Sequence, residues 1–133
     1  MTDITVSLIR SGASASSASV RDHNLTMDRP TEKGGEDKGP MGGEVLLAAL
    51  GGCFMSNLVA AAGARNLELG DVKVHITGTL TGTPPVYSQI VMMVSGQASV
   101  PELPKLVTLA ERGCIVANTL KQSVTLEVKV EQS

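Results

Sequence analysis

EVLLAALGGCFMSNLVAAAGARN, residues 44–66, is the segment on which the architecture of this 133-residue chain depends. It is rich in Ala and Leu and apolar on nearly every side, which is typical of a helix at the centre of a protein. At the rise of an α-helix, this segment would extend about 34 Å, as long as a small domain is wide. A chain this short exposes much of such a helix, so we expect a partner subunit.

Gly51 and Gly52 interrupt this helical pattern directly before Cys53. Each Gly costs about 1 kcal/mol relative to Ala inside a helix, so the pair predicts a break or a kink. Cys53 would then begin the second half of the helix, where unpaired N–H groups and the helix dipole lower the pKa of a thiol. The alternative is a small buried side chain, since free Cys is among the most buried residue types.

Strand patterns lie on both sides of the helix. Upstream, residues 3–10 and 20–27 alternate in the manner of β-strands, and the small polar residues 13–19 between them predict a turn or an exposed ribbon. Downstream, residues 72–77 and 86–95 predict an antiparallel hairpin around the connection TGTPP.

The last third of the chain completes the pattern. PELPKLVTLAER, residues 101–112, has apolar residues at helical spacing, and Gly113 is a natural end for that helix. Residues 124–130 predict an amphipathic strand that finishes the chain. The predicted element order is therefore β-β-α-β-β-α-β, an α+β fold with a long central helix. The length allows one domain or two very small ones, and we expect residues 1–133 to form a single domain.

Composition excludes several classes of protein. The net charge is -2, whereas nucleic-acid surfaces carry clustered positive charge, and the two aromatic residues, Phe54 and Tyr87, offer no stacking platform. No segment reaches about 20 consecutive apolar residues, so we expect no membrane partner. The first ten residues lack the pattern of a secretory signal. Two cysteines in such a chain favour the cytoplasm, where thiols stay reduced.

Cys114 is the second candidate for thiol chemistry, because it follows Gly113 at the end of a helix. A redox couple with Cys53 is compatible with this placement, and the alternatives are a structural disulfide and a zinc site. Zinc needs four ligands at close spacing, and His23 and His75 are isolated in the sequence. We therefore expect no metal and no cofactor. The loop GGEDKGPMGG is not a phosphate-binding P-loop, since no GK[ST] follows it.

Two motifs resemble the OsmC/Ohr family, the osmotically inducible and organic hydroperoxide resistance proteins. GGEDKGPMGGEVLLAALGGC, residues 34–53, is similar to the family's Gly-rich loop followed by E-L-L-L-A-A-L-G-x-C. AERGCIVANTL, residues 110–120, is similar to its A-x-x-x-C-x-V-x-N-T-L segment. The resemblance covers about residues 20–131. It implies antiparallel sheets around a long central helix and an intertwined homodimer.

The resemblance also implies an activity, that of a thiol-dependent peroxidase acting on organic hydroperoxides. Cys53 would become a sulfenic acid and Cys114 would condense with it to form a disulfide. A dithiol would then reduce the disulfide, in this family often a lipoylated protein. The two thiols should therefore lie within or near disulfide reach, in an apolar pocket completed by the second subunit. The alternative is a member of the family that binds a small ligand or senses redox state.

The family's active site also contains an Arg and a Glu, which hold the thiolate and polarise the peroxide. The resemblance makes Glu44 the candidate carboxylate, nine residues before Cys53; the best-characterised reductases have it one residue upstream, where this chain has Gly43. Arg10 is the first candidate for the arginine and Arg21 the second. The alternative for Glu44 is a carboxylate that complements the dipole at the start of the helix. For Arg10 and Arg21, the alternative is an ordinary surface residue without a catalytic role.

Overall fold

A computed structural model describes residues 1–97, 100 and 102–132 of the chain. It is a mixed α+β structure with two antiparallel sheets and one long helix, which confirms the predicted fold class. The chain forms two compact units, Met1–Leu46 and Leu47–Ser133. That residues 1–133 act as a single domain stays a prediction.

The first unit contains a three-stranded antiparallel sheet. Its strands are β1 (Ser7–Arg10), β2 (Ser16–Val20) and β3 (His23–Met27), in that order across the sheet. The prediction of a turn or ribbon at residues 13–19 was wrong over its second half, since Ser16 begins the central strand. The small side chains of Ala15 and Ala18 are buried, so short residues here allow close packing and do not mark a turn.

A buried carboxylate organises the loop that follows β3. Asp28 is 4% exposed and accepts hydrogen bonds from Ser14 Oγ and from the backbone N–H groups of Arg29, Glu36 and Lys38, at 2.7–3.3 Å. The Ser14 hydroxyl, followed by these N–H groups, lowers the pKa of Asp28 against the opposing effect of burial. The charged side chain of Asp28 therefore fixes, through hydrogen bonds, the conformation of a loop that contains three glycines.

In the second unit, the predicted hairpin is present as β4 (Lys73–Thr81) and β5 (Val86–Ser95). The strands pair from Lys73 opposite Ser95 to Thr81 opposite Val86, with an irregularity at Thr79. Their alternation gives one half-buried face, which packs on the helix described next, and one exposed face; the half-buried residues are Val74, Ile76, Ile90, Met92 and Val94.

The central helix α1 (Gly42–Ala64) is continuous, so the predicted break at Gly51–Gly52 was wrong. The two glycines have different surroundings. A Cβ built on Gly51 would lie 2.9 Å from Cδ1 of Ile76 on β4. Around one built on Gly52, no described atom lies within 4 Å apart from the adjacent residues and the backbone of α1 itself. Gly51 therefore permits close approach of the helix to the sheet, and the cost of a helical Gly is offset by packing.

The core lies on one stripe of α1. Leu50, Phe54, Leu58 and Ala62 are buried at four-residue intervals. They pack against α2 (Leu103–Arg112) and α3 (Ile115–Leu120); the core members from this part of the chain are Leu106, Ala110, Cys114 and Ala117. The predicted helix at 101–112 is confirmed from Leu103 onwards, while Pro101 lies outside the described residues. The short helix α3 was not predicted.

Residues 124–130 form no strand, which corrects the sequence prediction. Their apolar side chains are 65–87% exposed at Val124, Leu126, Val128 and Val130. Alternation of apolar and polar residues fits a half-buried strand, but a strand also needs a neighbour with free N–H and C=O groups. The pattern is present here without a paired neighbour.

Among the described residues, one helix, α1, is long and apolar enough to cross a bilayer by length and composition, with a mean hydropathy of 1.9 over its best window. The sequence expectation concerned a run of about 20 consecutive apolar residues, and in α1 such a run is interrupted by Ser56 and Asn57. The central helix of a globular protein meets the same criterion, and α1 carries the core of the second unit on one stripe. Only 22% of the window is buried within the chain.

Candidate functional site

The two cysteines, 61 positions apart in the sequence, are neighbours in the second unit. Cys53 lies half-buried on α1, and Cys114 is the fully buried N-cap residue of α3. Their side chains are joined by a hydrogen bond, and neither forms a disulfide. The sequence prediction that these thiols lie close together agrees with this geometry.

Hydrogen bonds lower the pKa of the Cys53 thiol. The N–H group of Val116 contributes most, and the Cys114 thiol and the N–H group of Ile115 add to it, while partial burial acts in the opposite direction. Each of these donors favours a negatively charged sulfur acceptor. Cys53 is therefore the sulfur that ionises more easily.

The pKa of Cys114 is shifted the other way. Burial raises it most, and the neighbouring Cys53 raises it further through their hydrogen bond and its charge. The N–H groups of Ala117 and Val116 oppose the shift, and Ala117 N lies 3.4 Å from Cys114 Sγ. When the pair loses one proton, Cys53 is therefore the sulfur that loses it, and the thiol of Cys114 donates to the resulting thiolate.

The source of the low pKa differs from the sequence prediction. Because α1 is continuous, Cys53 lies in its interior and not at a helix N-terminus. The unpaired N–H groups come instead from Ile115 and Val116, in the first turn of α3. The sequence signal that could have found them is the pair Gly113–Cys114, which ends one helix and begins another, but backbone donors have no residue signature of their own.

Asn57 is a further polar residue at this site that the sequence analysis did not single out. It lies one turn after Cys53 on α1 and is half-buried. Its side-chain Nδ2 donates to the carbonyl oxygen of Ala110, near the end of α2, at 3.3 Å. A lone Asn in an apolar helix could have indicated such a contact, because a buried amide needs hydrogen-bond partners.

The remaining predicted site residues lie in the first unit. Glu44 Oε1 accepts a hydrogen bond from Met41 N at 2.8 Å, and Met41 O accepts from Val45 N. Glu44 thus caps the start of α1, as in the second half of a capping box. This arrangement agrees with the alternative interpretation of Glu44, in which the carboxylate stabilises the N-terminus of α1.

Arg10 and Arg21 are exposed. The guanidinium of Arg10, on β1, donates to the carbonyl oxygens of Gly12 and Ala13 at 2.9 and 3.2 Å. Arg21 has a φ of 54° in the turn between β2 and β3. The catalytic roles of Arg10, Arg21 and Glu44 stay predictions.

Within the described residues, no group of three or more His, Cys, Asp and Glu side chains could hold a metal ion. His23 lies on β3 and His75 on β4, and both are exposed. The two neighbouring cysteines can support the chemistry of a thiolate beside a thiol: nucleophilic attack by one sulfur and disulfide formation with the other.

Comparisons with known proteins agree with the fold. A hypothetical protein from Aquifex aeolicus VF5 superposes with a TM-score of 0.78 at 24% identity, over 99% of this chain and 100% of that one. The OsmC-like protein from Mycoplasma pneumoniae gives 0.72 at 18%, over 90% and 88%. A protein from Legionella pneumophila described as an organic hydroperoxide resistance protein OsmC and predicted redox protein gives 0.63 at 22%, over 91% and 92%.

At these identities the structural likeness establishes the fold alone. A search of curated proteins finds no match. A family model described as OsmC-like protein matches residues 35–129, which include the Gly-rich loop, α1, both cysteines and the hairpin. This match spans well over half of the chain and agrees with the resemblance found in the two sequence motifs. The chain therefore belongs to the OsmC-like protein family.

Proposed function

We propose that this protein is a thiol-dependent peroxidase that reduces organic hydroperoxides, of the alkyl or fatty-acyl class, to alcohols. The observation that carries the proposal is the contact between two thiols whose pKa values shift in opposite directions. A peroxidase of this kind needs one ionised sulfur to attack and one protonated sulfur within reach to resolve the product. Family membership supports the same activity.

In the proposed reaction, the Cys53 thiolate attacks the distal oxygen of ROOH and the O–O bond breaks. The alkoxide leaves, takes one proton and becomes ROH, while Cys53 becomes a sulfenic acid. The sulfur of Cys114, after losing its proton, attacks the sulfenic sulfur and displaces hydroxide, which takes that proton to form water. The sum is ROOH plus two thiols giving ROH, water and a disulfide, which an external dithiol such as a lipoylated protein then reduces.

A homodimer is part of this proposal, and the exposed apolar surface supports it. On α1, Leu46 and Val59 are 39% and 56% exposed, and the apolar side chains of residues 124–130 are largely exposed. An open groove of about 380 Å³ lies beside Val59 and is lined mainly by apolar residues. Surfaces of this kind mark interfaces. A second copy of the chain would cover them and complete an apolar pocket at the thiols, in a protein of the reducing cytoplasm.

The test is turnover of cumene hydroperoxide by the purified protein with dithiothreitol or dihydrolipoamide as reductant. We expect repeated cycles and one alcohol formed for each dithiol oxidised. Light scattering on the same sample checks for the dimer. Hydrogen peroxide is the comparison substrate, and slower reduction of it would support an apolar pocket.

A redox sensor or small-ligand binder is the second candidate. The observation that favours it is that Arg10 and Glu44 both make local hydrogen bonds, which gives each side chain a role apart from catalysis. A sensor would form the Cys53–Cys114 disulfide once and would not cycle in the presence of a dithiol. A protein that dimerises but consumes no more than one equivalent of hydroperoxide per chain would favour this candidate over the peroxidase.

A further inference from the structure

We propose that Asn57 is a positioning residue for the dithiol, because its side chain ties α1 to the junction of α2 and α3 one helical turn away from Cys53. The effect of this role on catalysis rests on the proposed peroxidase function, whereas the position of Asn57 is a feature of the reduced protein. This role of Asn57 does not depend on contact with either sulfur. It acts through the backbone that carries Cys114 and the N–H groups of Ile115 and Val116.

The first observation is the hydrogen bond from Asn57 Nδ2 to the carbonyl oxygen of Ala110, at 3.3 Å. Ala110 is 1% exposed, so water does not readily replace this donor. The bond joins two helices that are distant in the sequence, at the end of α2 that leads into Cys114.

The Ala110 carbonyl is available because α2 stops two residues later. In a continuing helix the N–H group of Cys114 would donate to Ala110. Here Cys114 N donates to the carbonyl oxygen of Glu111 at 3.2 Å, as the chain turns at Gly113 into α3. Asn57 thus supplies a donor to a buried carbonyl that the change of helix has left open.

The second observation concerns Gly113, the residue directly before Cys114. A Cβ built on Gly113 would lie 3.5 Å from Nδ2 and 3.9 Å from Cγ of Asn57. The amide of Asn57 therefore lies against both Ala110 and Gly113. On the same helix, Cys53 accepts from the N–H groups of Ile115 and Val116. Cys53 and Asn57 lie on successive turns of α1. Cys53 contacts the start of α3, and Asn57 contacts the end of α2 and Gly113.

This arrangement has a consequence for the sulfur chemistry. Hydrogen bonds weaken steeply as the donor moves away or tilts, and α3 has six residues, so its position depends on what holds its first turn. Loss of the Asn57 bond would let the junction move relative to α1. The N–H groups and the Cys114 thiol would then stabilise the Cys53 thiolate less, and Cys114 would also reach the oxidised sulfur less often.

Few groups of the second unit affect the pKa of Cys53. Among its described residues, Cys114 is the only titratable side chain that contributes to the pKa of Cys53; the other contributions are two N–H groups and burial. A change in that pKa in an Asn57 variant would consequently report the position of the α2–α3 junction.

The experiment compares three variants by the pH profile of iodoacetamide alkylation at Cys53, located by peptide mass spectrometry in the absence of peroxide. Asn57→Leu keeps the branching at Cγ and removes the donor, and Asn57→Gln keeps a donor on a longer side chain. Asn118→Ala is the matched control. Asn118 Nδ2 donates to Arg112 O at 3.0 Å in the same junction, but this bond does not involve α1.

For Asn57→Leu we expect a midpoint shifted to higher pH and a three- to tenfold slower alkylation of Cys53 at pH 7, since one pKa unit is a factor of about ten. Asn57→Gln should recover most of this loss, and Asn118→Ala should stay within twofold of the parent protein. A profile of Asn57→Leu that equals the parent's, or one that Asn118→Ala matches, would overturn the inference. If Asn57→Leu does not fold, Asn57→Ser, whose side chain is too short to span to Ala110, takes its place with the same two outcomes.

This experiment separates the inference from the proposed function. If the parent protein does not reduce hydroperoxides but Asn57→Leu still shifts the alkylation profile, the peroxidase proposal fails and the positioning role stands. If the parent protein is a peroxidase and the profile does not shift, Asn57 serves stability alone.

Discussion

Each of the two compact units uses backbone N–H groups to hold one acidic side chain. In the first unit, the Asp28 carboxylate accepts from three N–H groups of the loop that follows it and from Ser14 Oγ. In the second, the Cys53 sulfur accepts from the N–H groups of Ile115 and Val116 and from the Cys114 thiol. The pKa is lowered in both cases by these donors and raised by burial.

The difference between the two groups lies in where their ordinary pKa values fall. An Asp carboxyl ionises near pH 3.9, so at neutral pH its donors organise a loop without changing its charge. A Cys thiol ionises near pH 8.5, so similar donors increase the fraction of thiolate at neutral pH and hence its reactivity. Asp28 is also buried, whereas Cys53 is half-buried and open to reagents. Hydrogen bonds from backbone N–H groups therefore stabilise a loop in the first unit and increase the reactivity of a thiol in the second.

The largest effect should come from Cys53→Ser, because a hydroxyl does not ionise at neutral pH and is a poor nucleophile toward peroxide. We expect hydroperoxide consumption to fall to the uncatalysed rate. Cys114→Ser is the matched control and should reduce about one equivalent before it stalls at the sulfenic acid or a more oxidised form of Cys53. Continued turnover by Cys53→Ser would assign the chemistry to another group.

Cys114→Ala tests the hydrogen bond between the two thiols. Removing the S–H donor should raise the pKa of Cys53 and slow its alkylation at pH 7 by about three- to tenfold, as expected for up to one pKa unit. The measurement is the pH profile of iodoacetamide alkylation. An unchanged midpoint would mean that the backbone N–H groups alone stabilise the thiolate.

Acid titration tests the other anion. Because the pKa of Asp28 is lowered on folding, its contribution to stability is present above the unfolded value near pH 3.9 and is lost as the pH falls through the lower folded value. Asp28→Asn should be less stable at neutral pH and should lose less stability below pH 4 than the parent protein. Urea unfolding at pH 7 and at pH 3 measures the two differences. Equal losses on acidification in both proteins would contradict the prediction.

The smallest effect concerns the two helical glycines beside Cys53. Gly52→Ala should increase the free energy of unfolding by about 0.5–1 kcal/mol, since the added Cβ meets no described atom within 4 Å beyond the adjacent residues and the backbone of α1. Gly51→Ala should gain less, because Cδ1 of Ile76 must move away from the new methyl group. Thermal or urea unfolding of the pair is the measurement. A larger gain for Gly51→Ala would contradict the close approach of α1 and β4.

The amino-acid sequence predicted the elements whose patterns depend on local residues. The apolar segment at residues 44–66 became α1 within two residues at each end, and the alternating segments around TGTPP became the β4–β5 hairpin. Prediction from the sequence was wrong where one residue pattern is compatible with two backbone structures. Residues 16–19 are small and mostly polar, as in a turn, yet they lie in the central strand, because pairing with two neighbouring strands supplies their hydrogen bonds. Residues 124–130 have strand alternation without such neighbours.

By itself, the sequence determined which residue types are available for chemistry: two cysteines in family motifs and a long apolar helix to carry the first of them. Only the tertiary structure decided which sulfur ionises, because that depends on the N–H groups of Ile115 and Val116 and on the burial of Cys114. Every residue except proline has the same N–H group, so its effect cannot be deduced from residue identity. It acts on Cys53 only after the helices have brought distant parts of the chain within hydrogen-bond distance.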